Sequence, residues 1–228
     1  MDLAANASLP RLSHLVSVLA FAASAAVVGL LALYVATGIG QDDLQAVSSP
    51  ADYAAILLED PAALKVVLGL DNLFILFYLP MFIVLGAVLQ RWNAPRAILV
   101  AAIALLIAAG IFDLAENMHF RAMLNSAELG LAIPQGAIDL QVWESLVKFH
   151  ISYLGLFLLS FALPQDTMIE KALCFAFRWL QAPIGIAIYV VPATAMPPLL
   201  IARFAFFCVA LLAVGAIFRR RSGSDAPA

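Results

Sequence analysis

The sequence predicts an all-α, polytopic integral membrane protein, a six-transmembrane-helix bundle with both termini cytoplasmic. Three observations lead there. Of the 228 residues, 64% are hydrophobic and only 12% are charged, with a mean hydropathy of +1.01, a composition outside the range of soluble domains. Apolar runs recur near 12–37, 62–89, 97–119, 142–163, 168–191 and 199–218, each meeting the roughly 20 residues that a helix needs to cross a bilayer. Lysine and arginine then gather at alternate turns, as the positive-inside rule requires.

The first run follows only Arg11 and extends for about 26 apolar residues, beyond the 7–15 of a signal-peptide core, which predicts a retained anchor helix. Small residues along it, Ala22, Ala26 and Gly29, permit close helix packing. The next loop, 39–63, carries Asp42, Asp43, Asp52, Glu59 and Asp60 with neither Lys nor Arg, and so belongs outside. Within it, the stretch from Ser49-Pro50 to Leu58 reads as a short interfacial helix. Asp60-Pro61 supplies an N-cap and a first-turn proline for the second span. Arg91 and Arg96 bracket the inner turn that follows.

The third span is expected to end near His119, and the fourth to begin outside near Gln141. Asp166 caps the fifth span and Lys171 lies near its start, while Pro183, shortly after Arg178, bends it. Arg178 is expected to snorkel inward, and Trp92 and Trp143 to sit in the interfacial aromatic belts. Pro192, Pro197 and Pro198 separate spans five and six. Arg219, Arg220 and Arg221 mark the last exit to the inside. Residues 1–218 thus form one transmembrane domain and 219–228 a short cytoplasmic tail, expected to be disordered. The alanine-rich composition suggests a bacterial inner membrane.

Charge placed in hydrocarbon costs roughly 3 kcal/mol per residue on insertion scales, so such residues face protein and often serve function. The third span nevertheless reads Ile111-Phe112-Asp113-Leu114-Ala115-Glu116-Asn117-Met118-His119. At about 100° per residue, Asp113, Glu116 and Asn117 share one arc and His119 is turned away. On the fourth span Glu144, Lys148 and Ser152 form an i, i+4, i+8 stripe, with His150 nearly opposite. Asp71 and Asn72 enter from the outer end of span two, and Arg203 lies a few residues into span six. With Asp113 six or seven residues from its outer end, it lies roughly 10 Å deep, level with Lys148.

These positions predict an ion pair between Asp113 or Glu116 and Lys148. Asp71, Asn72, Asn117 and Arg203 would complete a polar binding pocket open outward. Asp113 is the expected proton or cation carrier, Glu116 its partner, Lys148 the counter-charge, and Asn117, Asn72 and Asp71 the orienting groups. The same residues also suit interhelical ion pairs that bind nothing.

Binding or transport of a small polar solute or ion, with proton coupling as an option, is the leading function. A metal-dependent intramembrane hydrolase of a lipid substrate is the enzymatic alternative, drawing on His14, His119, His150, Asp113 and Glu116. Against it, His14 starts on the inner side and no HExxH or paired-histidine spacing occurs, so no metal site is assigned. His119 and His150 are the only candidate axial ligands for a haem, no motif names a cofactor, and no GxSxG or other nucleophile beside a base is present. The third reading is a non-catalytic subunit or assembly factor, with a homo-oligomer or a membrane complex as partner beside the lipid bilayer. A net charge of −3 without a basic face excludes a nucleic-acid partner. Cys174 and Cys208 sit singly in apolar segments and are expected to stay unpaired.

Overall fold

The computed structural model describes residues 9–45, 49–190 and 196–224. Among these residues every regular element is helical. The helices are α1 (Leu9–Thr37), α2 (Pro50–Leu57), α3 (Pro61–Arg91), α4 (Arg96–Glu128), α5 (Gln135–Leu159), α6 (Met168–Trp179), α7 (Gln181–Val190) and α8 (Met196–Ser224), with a 3-10 turn at Asp42–Gln45. Six segments are long and apolar enough to cross a membrane: α1, α3, α4, α5, the α6–α7 pair and α8. The protein is a multi-pass membrane protein.

Capping follows local sequence. Ser49 accepts from the backbone N–H of Asp52 at the start of α2, and Asp60 accepts from that of Ala63 at the start of α3. Both helices carry proline in the first turn, where its missing N–H is harmless. At the start of α6 the cap is Thr167, not the expected Asp166, because Thr167 closes a reciprocal capping box with Glu170. Leu180 interrupts the fifth span between α6 and α7; Pro183, three residues on, has no N–H to give to Trp179, so the predicted bend takes the form of a break.

The packed pairs close a ring. α1 lies against α3 and α8, α3 against α4, α4 against α5, α5 against α7, and α7 against α8. Small residues set the close approaches. A Cβ added at Gly29 would meet the side chain of Leu70 at 3.0 Å, and one at Gly155 would meet Leu106 at 2.9 Å and the Ala102 carbonyl at 3.3 Å.

Two apolar clusters fill the ring at different heights. The inner and middle one includes Val16, Ile75, Leu85, Leu99, Leu106, Leu156, Val214 and Phe218. The outer one joins Leu44, Tyr53 and Leu57 of the loop segment to Leu64, Leu68, Phe120, Leu124, Ile138 and Val142. Between Leu68 and Ile75 on α3 stands Asp71; between Leu106 and Phe120 on α4 stand Asp113, Glu116 and Asn117; between Val142 and Leu156 on α5 stand Ser145 and Lys148. The polar groups therefore form a layer between two apolar ones.

Several boundaries differ from expectation. The third helix continues past His119 to Glu128 because Phe120, Met123, Leu124 and Ala127 form a buried i, i+3, i+4, i+7 stripe. Its 33 residues make a rod about 50 Å long, well beyond the hydrocarbon thickness. Asp113 accordingly lies about 22 Å from the outer end of the helix, not 10 Å, and is covered by the outer cluster. At the other end, helix α8 runs through Arg219–Arg221 to Ser224, so those arginines are helical; residues 225–228 of the expected tail, and Pro192, lie outside the described residues. Trp92 is partly buried against the core, stacked on Phe218 at 5.4 Å under the Arg221 guanidinium. Trp143 keeps its exposed position.

Candidate functional site: a carboxylate–lysine layer above an apolar cavity

The layer is assembled by helix periodicity. On α4, Asp113, Glu116 and Asn117 lie on one face and are all buried; on α5, Gln141, Ser145 and Lys148 follow at i, i+4, i+7 and are buried too. Lys148 joins the two helices, donating to Asp113 Oδ1 at 2.9 Å and to Glu116 Oε2. It thus pairs with both acids. The other oxygen of Asp113 accepts from the Tyr78 hydroxyl at 2.9 Å.

Glu116 is fully buried, and its Oε1 accepts from Ser145, from Gln141 at 3.1 Å and from Gln45 at 3.1 Å. A buried carboxylate needs this many donors to offset lost hydration. Asn117 is equally saturated. Its amide donates to Asp71 at 2.7 Å and to Asn72 at 3.0 Å, while its oxygen accepts from Gln41 at 3.1 Å.

The outer loop closes the layer from above. Gln41 and Gln45 reach Asn117 and Glu116, and Asp42 pairs with Arg203 of α8 at 2.7 Å. Tyr53 of α2, fully buried, donates to Gln141 at 3.0 Å. Burial first, and the Glu116 charge second, push the Tyr53 phenol well above its ordinary range, so it stays protonated and remains a donor.

Beside the layer, from the loop residues above it to the apolar core below, runs a cavity of about 380 Å³, inside the range of small-molecule sites. Its polar lining includes Gln41, Asp42, Asp71, Asp113, Lys148 and Arg203, and its walls are apolar residues of α1, α3, α4, α5, α6 and α8, reaching Phe177, Leu211 and Val214. Of the residues singled out from sequence, Asp71, Asp113, Lys148 and Arg203 line this space. Glu116 and Asn117 stand behind that lining as braces. Asn72 is exposed on the outer face of α3, tied back only to Asn117. Arg203 faces the same cavity but pairs with Asp42, and its guanidinium lies 4.2 Å from the Phe149 ring centre.

The histidines do not converge. His119 bonds Glu144 at 2.6 Å, and His150 bonds the Leu146 carbonyl at 2.7 Å on an exposed face. Among the described residues no three His, Cys, Asp or Glu side chains are grouped as a metal would need. Cys174 and Cys208 are free thiols, the first buried and the second 3.3 Å from the Ser24 hydroxyl.

Tyr78, Gln141, Ser145 and the Gln41–Gln45 segment belong to the layer but were not among the residues expected there. Tyr78 sits seven residues after Asp71, on the same face, and Gln141 and Ser145 complete the Lys148 stripe; helical spacing could have found these three. Nothing in the loop sequence marks Gln41 and Gln45. Arg178, the inner intramembrane cation, donates to the Ser160 hydroxyl at 2.8 Å and carbonyl at 2.7 Å and covers Phe161; its role is to tie α6 to the end of α5.

The fold and layer define a multi-pass helical membrane protein with a charged intramembrane cavity. Comparison with protein-family models, with curated proteins and with solved structures finds no match for this chain.

Proposed function

We propose that this protein binds a solute or ion inside the membrane through Asp71, Asp113, Lys148 and Arg203, and that Asp113 exchanges the proton or cation. The observation that carries this reading is the cavity itself. Ion pairs that only glue helices need no cavity beside them, whereas here charged groups from four helices line one of about 380 Å³. Glu116 and Asn117 serve as the fixed support that orients Lys148 and Asp71. Placement in a bacterial plasma membrane, with the layer in the outer half, belongs to the same proposal.

Ser152 lines the cavity one turn inward of Lys148, which makes it a probe. In a chain whose Cys174 and Cys208 are replaced by alanine, Ser152→Cys should react with N-ethylmaleimide, and Asp113→Asn should abolish solute binding while the protein remains folded. A Ser152→Cys thiol as inert as one in a packed core would overturn the proposal in favour of a closed structural layer. Metal analysis and a visible spectrum of protein purified from native membranes address the hydrolase and haem alternatives. A colourless, metal-free protein is expected; stoichiometric zinc or a haem band would move the enzymatic reading ahead.

A further inference from the structure

Resting on that reading, we infer that the ligand is a lipophilic ammonium, an amphiphile with a cationic head and an apolar tail, and that it enters from the lipid through the outer seam between α1 and α8. Three features of the cavity point there independently: its charge, its aromatic lining and its mouth.

Charge comes first. The lining presents three carboxylates, Asp42, Asp71 and Asp113, against two cations, Lys148 and Arg203. Arg203 is engaged by Asp42, and Lys148 is divided between Asp113 and the buried Glu116 behind it. Asp71 accepts from the neutral amide of Asn117. The layer therefore carries more acid than fixed base in a place where uncompensated negative charge is costly. Protonation of Asp71 or a guest cation would restore the balance; a carboxylate or phosphate head would worsen it.

The aromatic lining fits the same head. Phe74, Tyr78 and Phe82 follow Asp71 along the α3 wall, with ring centres 4.7 Å and then 6.1 Å apart. On the other side Phe149 and Phe204 already carry the Arg203 guanidinium, which leaves Phe207 beside the α3 rings. Aromatic faces beside a carboxylate are the surfaces that bind ammonium groups by cation–π attraction. Inward of the charged groups, apart from the Ser152 hydroxyl, the wall is apolar, from Leu106 and Leu156 to Phe177, Leu211 and Val214, and suits a hydrocarbon tail.

The mouth is read from register and exposure. Ser24 on α1 meets Cys208 on α8, so in this antiparallel pair Leu31 stands level with Ile201. Both line the cavity, and so does Tyr34; yet Leu31 is 38% exposed, Tyr34 47% and Ile201 59%. Side chains that face cavity and surroundings together mark an opening, and at this depth the surroundings are lipid.

The test is equilibrium binding of radiolabelled dodecylamine to the full chain in lipid nanodiscs at neutral pH, corrected with empty discs. Saturable binding is expected, undiminished by dodecanoate, poorly displaced by tetramethylammonium, and weakened about tenfold or more by Asp71→Asn, as loss of a charge-assisted contact implies. Because Asp71→Asn is nearly isosteric, its thermal unfolding is recorded alongside, and the dodecanoate comparison on the unaltered chain stands even if the variant misfolds. Equal competition by dodecanoate, or full binding by a folded Asp71→Asn, would overturn the ammonium class. Tetramethylammonium binding as tightly as dodecylamine would overturn the amphiphile while leaving the proposed binding site standing. Absence of binding by all three probes, with an unreactive Ser152→Cys, would sink both.

Discussion

Lys148 is the residue on which the layer turns, since two buried carboxylates are compensated by its single ammonium. Lys148→Met should therefore destabilise the protein by roughly 3–5 kcal/mol, the cost of leaving buried charge unpaired. Adding Asp113→Asn should recover part of that loss, because one stranded charge disappears. Unfolding in mixed micelles measures both, and simple additivity of the two losses would show that the groups do not communicate. Tyr53→Phe is a smaller change at the roof. It strands the Gln141 oxygen in a dry site and should cost about 1–3 kcal/mol in the same assay. What was legible in the sequence at this scale was the set of acids and Lys148, because charge amid hydrocarbon announces itself. The loop amides Gln41 and Gln45 were not, since amides occur anywhere and only the fold gives them a partner, while Ser145 lay on the Lys148 stripe without a charge to single it out. Asn72 shows the converse: adjacency to Asp71 put it in the site by sequence, but the next residue on a helix points about 100° away.

At the scale of elements, span number and type followed from apolar length alone, and the start of α3 from its Asp60-Pro61 signal. The outer end of α4 did not follow, because hydropathy stops where the lipid stops while the helix is prolonged by packing under the loop. Phe120, Met123, Leu124 and Ala127 supplied the signal in their periodicity, which a search for apolar length passes over. The inner ends show a related effect. Arg221, read as a mere topogenic charge, bonds Glu170 at 2.6 Å and Asp166 at 2.6 Å, locking α8 to the start of α6. Helix contact through glycine gives the test belonging to this scale. A Cβ at Gly185 would overlap the ring of Tyr153, so α7 approaches α5 only because that position has no side chain. Gly185→Ala should cost about 1–3 kcal/mol through overpacking, and Tyr153→Leu in the same chain should relieve most of it. A thermal shift unchanged by Gly185→Ala would mean that α7 does not pack this closely in the membrane.

For the whole molecule, the ring of spans explains why one charged layer and one cavity coexist. Six helices packed only to sequence neighbours would leave an open sheet of rods; contact of α8 with α1 closes it and creates an interior in which charges can be shared. Its direction in the bilayer then decides which compartment the layer serves. Arg11, Arg91, Arg96, Lys171, Arg219, Arg220 and Arg221 lie at one end of the spans. At the other end the loop between α1 and α3 is acidic, and the cations are fewer: Lys65, paired with Glu128 at 2.6 Å, Arg121 and Arg203. Since orientation follows the bias of Lys and Arg near the span ends and acids contribute little, the basic end should face the cytoplasm. Green fluorescent protein fused after Ala228 should then fluoresce, and alkaline phosphatase inserted at Leu131, between α4 and α5, should be active in a bacterial host. Replacing Arg219, Arg220 and Arg221 together by asparagine should leave orientation unchanged, because Arg91 and Arg96 still hold the first inner turn, but should loosen α8 through loss of the Glu170 contact. A dark C-terminal fusion with an inactive insertion at Leu131 would reverse the molecule, turning the Asp42–Arg203 roof and the α1–α8 mouth toward the cytoplasmic leaflet.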